Sequence, residues 1–115
     1  MNIKRGHLYL ADLSPRFGTE PGKIRPVLVI QTDLMNGEHP STLVCPLTTK
    51  IREEVDILRV HLRKHEAGLD EPSDIIIDQI RAIDNSRLKK EIGKISPARL
   101  ETVGQKIQIV LDLIR

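Results

Sequence analysis

Aromatic side chains are almost missing from this chain: Tyr9 and Phe17 are the only ones, and there is no tryptophan. A platform of successive stacked rings, the usual grip on single-stranded bases, is thereby nearly excluded. Cys45 is the only cysteine, so no intramolecular disulfide can form and an intracellular setting is indicated. It lies in an apolar run, residues 43–47, and reads as a small buried hydrophobe. No apolar run approaches the ~20 residues that a membrane-spanning helix needs. Met1-Asn2-Ile3-Lys4-Arg5 leads directly into a strand-like pattern, with no secretory leader. The expectation is a cytoplasmic protein with no membrane partner. A phosphate loop of the GxxxxGK type is also lacking. His61 and His65 stand four apart, but Leu62 takes the place of the acid in a helical zinc motif and the local pattern is strand. No metal and no cofactor are expected. His7 and His39 have no evident partners, and no Ser-His-Asp or Cys-His grouping arises.

What the chain does have fits one domain spanning residues 1–115: 39% hydrophobic and 30% charged residues describe a globular chain with a modest core. A formal charge of +2 decides nothing about nucleic acid, but its distribution does more. Lys4, Arg5, Arg16, Lys23 and Arg25 crowd the first quarter, opposed there only by Asp12 and Glu20. A local basic patch is what phosphate binding requires. Within it, residues 18–26 form a polar, glycine-rich loop ending in Arg25-Pro26, followed at once by the apolar Val27-Leu28-Val29-Ile30. Proline fixes its own φ and pushes the preceding residue toward extended backbone. Arg25 is therefore expected at the mouth of a buried strand, where its planar fork can hold a phosphate or make a surface salt bridge. Phe17, in the same loop, is a lid anchor or a surface that meets a base.

Short strand-like runs dominate the first four-fifths. They cover Leu8 to Leu13, Val27 to Ile30, Thr42 to Leu47, Leu58 to Leu62, Ile75 onward into Arg81, and Ile92 to Ile95. Alternation over Leu58 to Leu62 predicts a half-exposed strand with His61 facing solvent. Short helices are predicted over Thr32 to Asn36 and Ser86 to Lys89, and a mobile loop over residues 50–56. Ser96-Pro97 is a helix start. From it Leu100, Val103, Ile107, Val110, Leu111 and Ile114 fall on one stripe, with Ile109 and Leu113 on the opposite side as a partner surface. Gly104 reads as a close-packing contact. The class is mainly β: a small, partly open β-barrel with a C-terminal helix.

Polar groups interrupt this pattern at Thr48-Thr49, just past a strand, and at Asp78-Gln79-Ile80-Arg81 and Asp84. Such groups at the end of a buried strand line a site or satisfy neighbouring loops. Gln79 fits the structural role as well as the functional one, and Arg81 can pair with Asp78 or Asp84.

Taken in order, these fragments resemble the MazF/PemK toxin family. The match is carried by Arg5-Gly6, Asp12-Leu13-Ser14-Pro15, Gly18-Thr19-Glu20 and Gly22-Lys23-Ile24-Arg25-Pro26. It continues through Pro46-Leu47-Thr48, Asp78-Gln79-Ile80-Arg81-Ala82-Ile83-Asp84, Arg87-Leu88 and Ile92-Gly93-Lys94-Ile95-Ser96. The resemblance implies an SH3-like barrel that dimerises, cuts single-stranded RNA without a metal, and is neutralised by an antitoxin with an acidic disordered segment. It puts catalytic roles on Arg25 and Thr48. Where some members carry a histidine this chain has Thr19, and where some carry an arginine it has Ile76, so a mechanism resting on those groups does not apply. The implied reaction is attack of a ribose 2′-hydroxyl on the adjacent phosphate, leaving a 2′,3′-cyclic phosphate and a 5′-hydroxyl. Arg25 suits charge stabilisation. A guanidinium stays protonated near neutral pH, so it is a poor base; Glu20 is the candidate by proximity. Phe17, Thr19, Lys23, Asp78, Gln79 and Arg81 are assigned to RNA binding. The alternatives are a gyrase-poison-like toxin, or a non-catalytic nucleic-acid- or protein-binding module, on the same barrel.

Overall fold

A computed structural model describes residues 1–20 and 22–113. Seven strands and one helix follow in the order β1 (His7–Asp12), β2 (Ile24–Val29), β3 (Ser41–Thr48), β4 (Arg59–Leu62), β5 (Ser73–Ile76), β6 (Arg81–Asp84), β7 (Leu88–Lys94) and α1 (Pro97–Val110). All pairings are antiparallel. The strand order is β4-β5-β3-β2-β1-β7, with β6 also paired to β3. β3 is thus shared: Ser41 to Val44 face β6, while Leu47 and Thr48 face β5. Sharing one long strand between two partners bends the sheet into a partly open barrel.

The central strands are buried on both faces because their residues alternate between two apolar clusters. Leu8, Leu28, Cys45, Leu47 and Ile75 pack inside the barrel, where α1 adds Val103. Tyr9, Val27, Val29, Val44 and Ile83 form the second cluster on the other face. Burial and the charge of Asp78 push the Cys45 thiol up to about 12, as befits a residue used for packing. The two ends of the sheet approach where a 3₁₀ turn at Glu66–Gly68 meets β7. A β-carbon on Gly93 would lie 2.1 Å from the Ala67 carbonyl oxygen, so only glycine allows this crossing.

Several expectations change in the structure. The run from Ile75 into Arg81 is broken by a 3₁₀ turn at Ile77–Gln79, which carries the chain from one half of β3 to the other. Thr32 to Asn36 forms turns rather than a helix, because Thr32 and Asp33 spend their side chains on local hydrogen bonds. Ser86 to Lys89 splits into the 3₁₀ turn Asn85–Arg87, capped by Asp84, and the start of β7. β7 runs longer than the predicted Ile92 to Ile95 since its exposed Lys89, Lys90 and Glu91 hide the pattern.

Ser96 caps α1 by accepting from the Arg99 amide at 3.1 Å. Val103 is fully buried, and Leu100, Ile107 and Val110 are partly buried. Leu111 lies past the last helical turn and is exposed, as are Ile109 and Leu113; Ile114 falls outside the described residues. Gly104 faces open space rather than a tight contact. Among the described residues, no helix is long and apolar enough to cross a membrane.

Candidate functional site

The loop between β1 and β2 folds back on itself over the entrance of β2. Its base is pinned from below: Arg87 Nη1 donates to the carbonyls of Asp12 and Ser14 at 2.9 and 2.7 Å. The Leu13 amide donates to the Lys23 carbonyl at 2.8 Å, and the Lys23 amide to Ser14 Oγ at 3.2 Å. Closing this loop puts Lys23 in the left-handed region, φ 65°. Gly22 lies so close to Arg16 that a β-carbon there would come within 2.6 Å of the Arg16 side chain.

This fold-back fixes Arg25. Its Nε donates to the Gly22 carbonyl at 3.0 Å and its Nη1 to the Leu47 carbonyl at 3.1 Å. The guanidinium is thereby tied to β3 one residue before Thr48. Thr48 Oγ accepts from the Lys50 amide at 3.1 Å, which leaves its hydroxyl proton free to donate outward. Burial, and then the neighbouring charge of Arg16, lower the pKa of Arg25 from its usual range. Like charges held together without an acid between them favour an arriving anion.

Arg25, Thr48 and Lys50 line both of two adjoining cavities. One, of about 270 Å³, is lined by Arg16, Lys50, Arg52 and Arg59 together with Thr19 and Glu20. Among the described residues Glu20 is the only acid there against five cations, Arg25 included, so the hollow is strongly positive. The other, of about 350 Å³, has apolar walls from Ile24, Pro26, Leu47 and Leu69 and acceptors at Asp70 and Glu71. Among the described residues, no group of three His, Cys, Asp or Glu side chains converges as metal ligands.

The residues singled out in sequence divide into two places. Arg25, Thr48, Glu20 and Thr19 share the basic cavity. Phe17 stands on the same loop, 67% exposed, and Lys23 is exposed and lines neither cavity. Asp78, Gln79 and Arg81 are elsewhere: the 3₁₀ turn that carries Asp78 and Gln79 packs against α1, and none of the three lines either cavity. Arg81 pairs with neither Asp78 nor Asp84, and its Nη1 is buried without a hydrogen-bond partner among the described residues.

Sequence reasoning missed Arg59 and Arg52 in the basic wall. The His61 side chain is 39% exposed, as the alternating strand predicts, but its Nδ1 also meets the buried Asp74 Oδ1 at 2.5 Å, a contact the pattern did not show. Residues 50–56, read as mobile, are anchored by the Arg52 amide on Asp74 Oδ2 at 3.0 Å. The available signal was Asp74 itself, an acid at the head of an isoleucine run, which cannot be buried without partners. Ile76, where the resemblance allows an arginine, pairs across the ladder with Arg59.

The profile of PemK-like, MazF-like toxins of type II toxin–antitoxin systems matches residues 4–111. The chain is 39% identical over 111 residues to "Endoribonuclease MazF" of Staphylococcus saprophyticus, covering 96% of this chain and 92% of the relative. It is 39% identical over 114 residues to "Endoribonuclease EndoA" of Bacillus subtilis, covering 99% and 98%. Its fold superposes on crystalline MazF from Deinococcus radiodurans with a TM-score of 0.81 at 26% identity, covering 97% of this chain and 98% of the other. The same organism's MazE–MazF complex aligns with a TM-score of 0.80 at 25% identity, covering 99% of each chain. The chain therefore belongs to the PemK-like, MazF-like toxin family of type II toxin–antitoxin systems.

Proposed function

We propose that this toxin is an endoribonuclease that cuts single-stranded RNA where the two cavities adjoin. The observation that carries the reading is Arg25, held through Nε and Nη1 beside the free hydroxyl of Thr48 and facing a hollow of positive charge. The scissile phosphate lies over that pair. A neighbouring base enters the apolar cavity, where Asp70 and Glu71 can accept from its N–H groups. Attack by the 2′-hydroxyl adds negative charge to the phosphate, and donors fixed in advance stabilise that charge without reorganising; the P–O5′ bond then breaks, closing the 2′,3′-cyclic phosphate, and the departing O5′ takes a proton from water to become the 5′-hydroxyl. Glu20 takes the 2′-hydroxyl proton, being the only carboxylate among the described residues of the basic cavity.

The direct test is incubation of the purified protein with mixed-sequence single-stranded RNA in EDTA. Cleavage should persist, with 2′,3′-cyclic phosphate and 5′-hydroxyl ends. Cutting that appears only on adding Mg²⁺ or Zn²⁺ would refute this chemistry, and no cutting at all would favour a purely binding module.

The same basic hollow is where a neutralising antitoxin acts. An acidic, apolar segment places carboxylates where phosphates go and orders as it binds. A peptide of that composition from the cognate antitoxin should displace labelled, non-cleavable RNA, and less effectively as salt rises. Simultaneous binding of both would show that inhibition works by another route.

We further infer a homodimer. Ile109, Leu111 and Leu113 are half or more exposed at the end of α1, an apolar surface left uncovered among the described residues. Light scattering should give about twice the 13.0 kDa chain mass. An active monomer at micromolar concentration would contradict this.

A further inference from the structure

Asp74 is fully buried, and an unpartnered carboxylate there would be strongly disfavoured. The ladder explains how it is satisfied. Asp74 stands opposite Thr48 on one side and opposite His61 on the other. Paired residues project from the same face of a sheet, and so do residues two apart on one strand. Arg59, two before His61, therefore reaches the same carboxylate. Its Nη1 donates to Asp74 Oδ2 at 3.0 Å and to the Lys50 carbonyl at 3.3 Å. Among the described residues its Nε and Nη2 take no hydrogen bond. The Arg59 side chain is only 14% exposed, and what remains open lines the same cavity as Arg25 and Thr48.

We propose that Arg59, positioned by Asp74, is a second phosphate-binding guanidinium, which holds the RNA phosphate next to the one that is cut. The proposal rests on the RNA-cleaving function above and assigns the substrate's backbone a second anchor on this site.

Three features favour this over an ion pair kept for stability alone. A buried pair stabilises a fold no better than apolar residues of the same volume, so stability gives little reason to keep one. Asp74 engages one nitrogen of the fork, and among the described residues the other two have no partner, which is the arrangement of an oriented donor. The carboxylate also holds the Arg52 amide, so the segment bearing Lys50 and Arg52 is set against the same cavity wall. Arg25 is already committed through two of its nitrogens. The surplus positive charge beside it fits a neighbouring phosphate rather than the scissile one.

The experiment measures binding of a mixed-sequence RNA with 2′-O-methyl riboses, which cannot be cut, over a range of salt. Each phosphate contact on a single strand contributes about 0.7 to the slope of log affinity against log salt. Arg59→Gln should reduce the slope by roughly that much and weaken binding roughly tenfold or more. On cleavable RNA it should raise KM with kcat near wild type. Asp74→Asn supplies a test of sign. Removing an acid from a phosphate site tightens binding on charge alone, whereas loss of positioning weakens it. We expect weakening, and no added loss when Asp74→Asn is combined with Arg59→Gln. The double variant leaves no orphaned buried charge, so it carries the same expectation should Arg59→Gln alone fail to fold. An unchanged slope in a folded Arg59 variant, with wild-type binding intact, overturns this proposal alone, as does tighter binding by Asp74→Asn. A wild-type protein that neither binds nor cuts RNA removes the cleavage function and the proposal with it.

Discussion

Arg25→Ala should lower RNA cleavage by roughly a hundred- to a thousandfold, the usual cost of deleting one preorganised donor to a developing oxyanion. The expectation follows from geometry. The guanidinium is held by the carbonyls of Gly22 and Leu47, so it does not need to be ordered when substrate arrives. Its lowered pKa, caused by burial and then by Arg16, means that the site holds the cation at some cost, which an anion relieves. It remains protonated at neutral pH and serves as donor throughout. Arg25→Lys should recover little, because an ammonium cannot both keep the two carbonyl contacts and face the phosphate. Thr48→Ala, which removes a neutral donor to the same oxygens, should cost about as much or somewhat less. The measurement is single-turnover cleavage of a defined oligonucleotide, with circular dichroism to verify the fold. Near-normal rates in Arg25→Ala would take this residue out of the mechanism.

Glu20→Gln is expected to cost about a hundred- to ten-thousandfold, the range for a positioned proton-transfer group. Thr19 offers no imidazole, and the histidines lie outside the cavity that holds Arg25 and Thr48. Glu20 is exposed on the folded-back loop, where the hydrogen bond from its own amide to the Phe17 carbonyl, 3.0 Å long, shapes the turn. Single-turnover cleavage measures the loss, and Glu20→Asp, which keeps a carboxylate, should retain more of the rate than Glu20→Gln. A near-normal rate in a folded Glu20→Gln would assign the base elsewhere.

The two halves of the site were unequally visible in sequence. Arg25 was legible because Pro26 restricts its backbone and the apolar run after it locates the strand mouth. Thr48 was legible as a hydroxyl at the end of a buried run. Arg59 was not, since an arginine in an alternating strand looks like an ordinary solvated side chain. The position of Asp78 and Gln79 was not legible, for the complementary reason. Their place in an apolar run suggested a continuing strand, but the 3₁₀ turn at Ile77–Gln79 carries them toward α1 and away from Arg25. Local pattern cannot distinguish a strand that continues from one that stops and changes partner.

By itself the sequence determined the strands of the core, the start of the terminal helix, the partly open barrel class and the restricted backbone at the entry to β2. These follow from which side chains must leave water and from backbone limits imposed by proline and glycine, both of which act over a few residues. Only the tertiary structure decided which polar groups meet. That depends on register: Thr48 opposite Asp74, Asp74 opposite His61, and Arg59 opposite Ile76. A slip of one residue in either pairing would turn those side chains to the other face, and no local pattern records where two distant strands come into line.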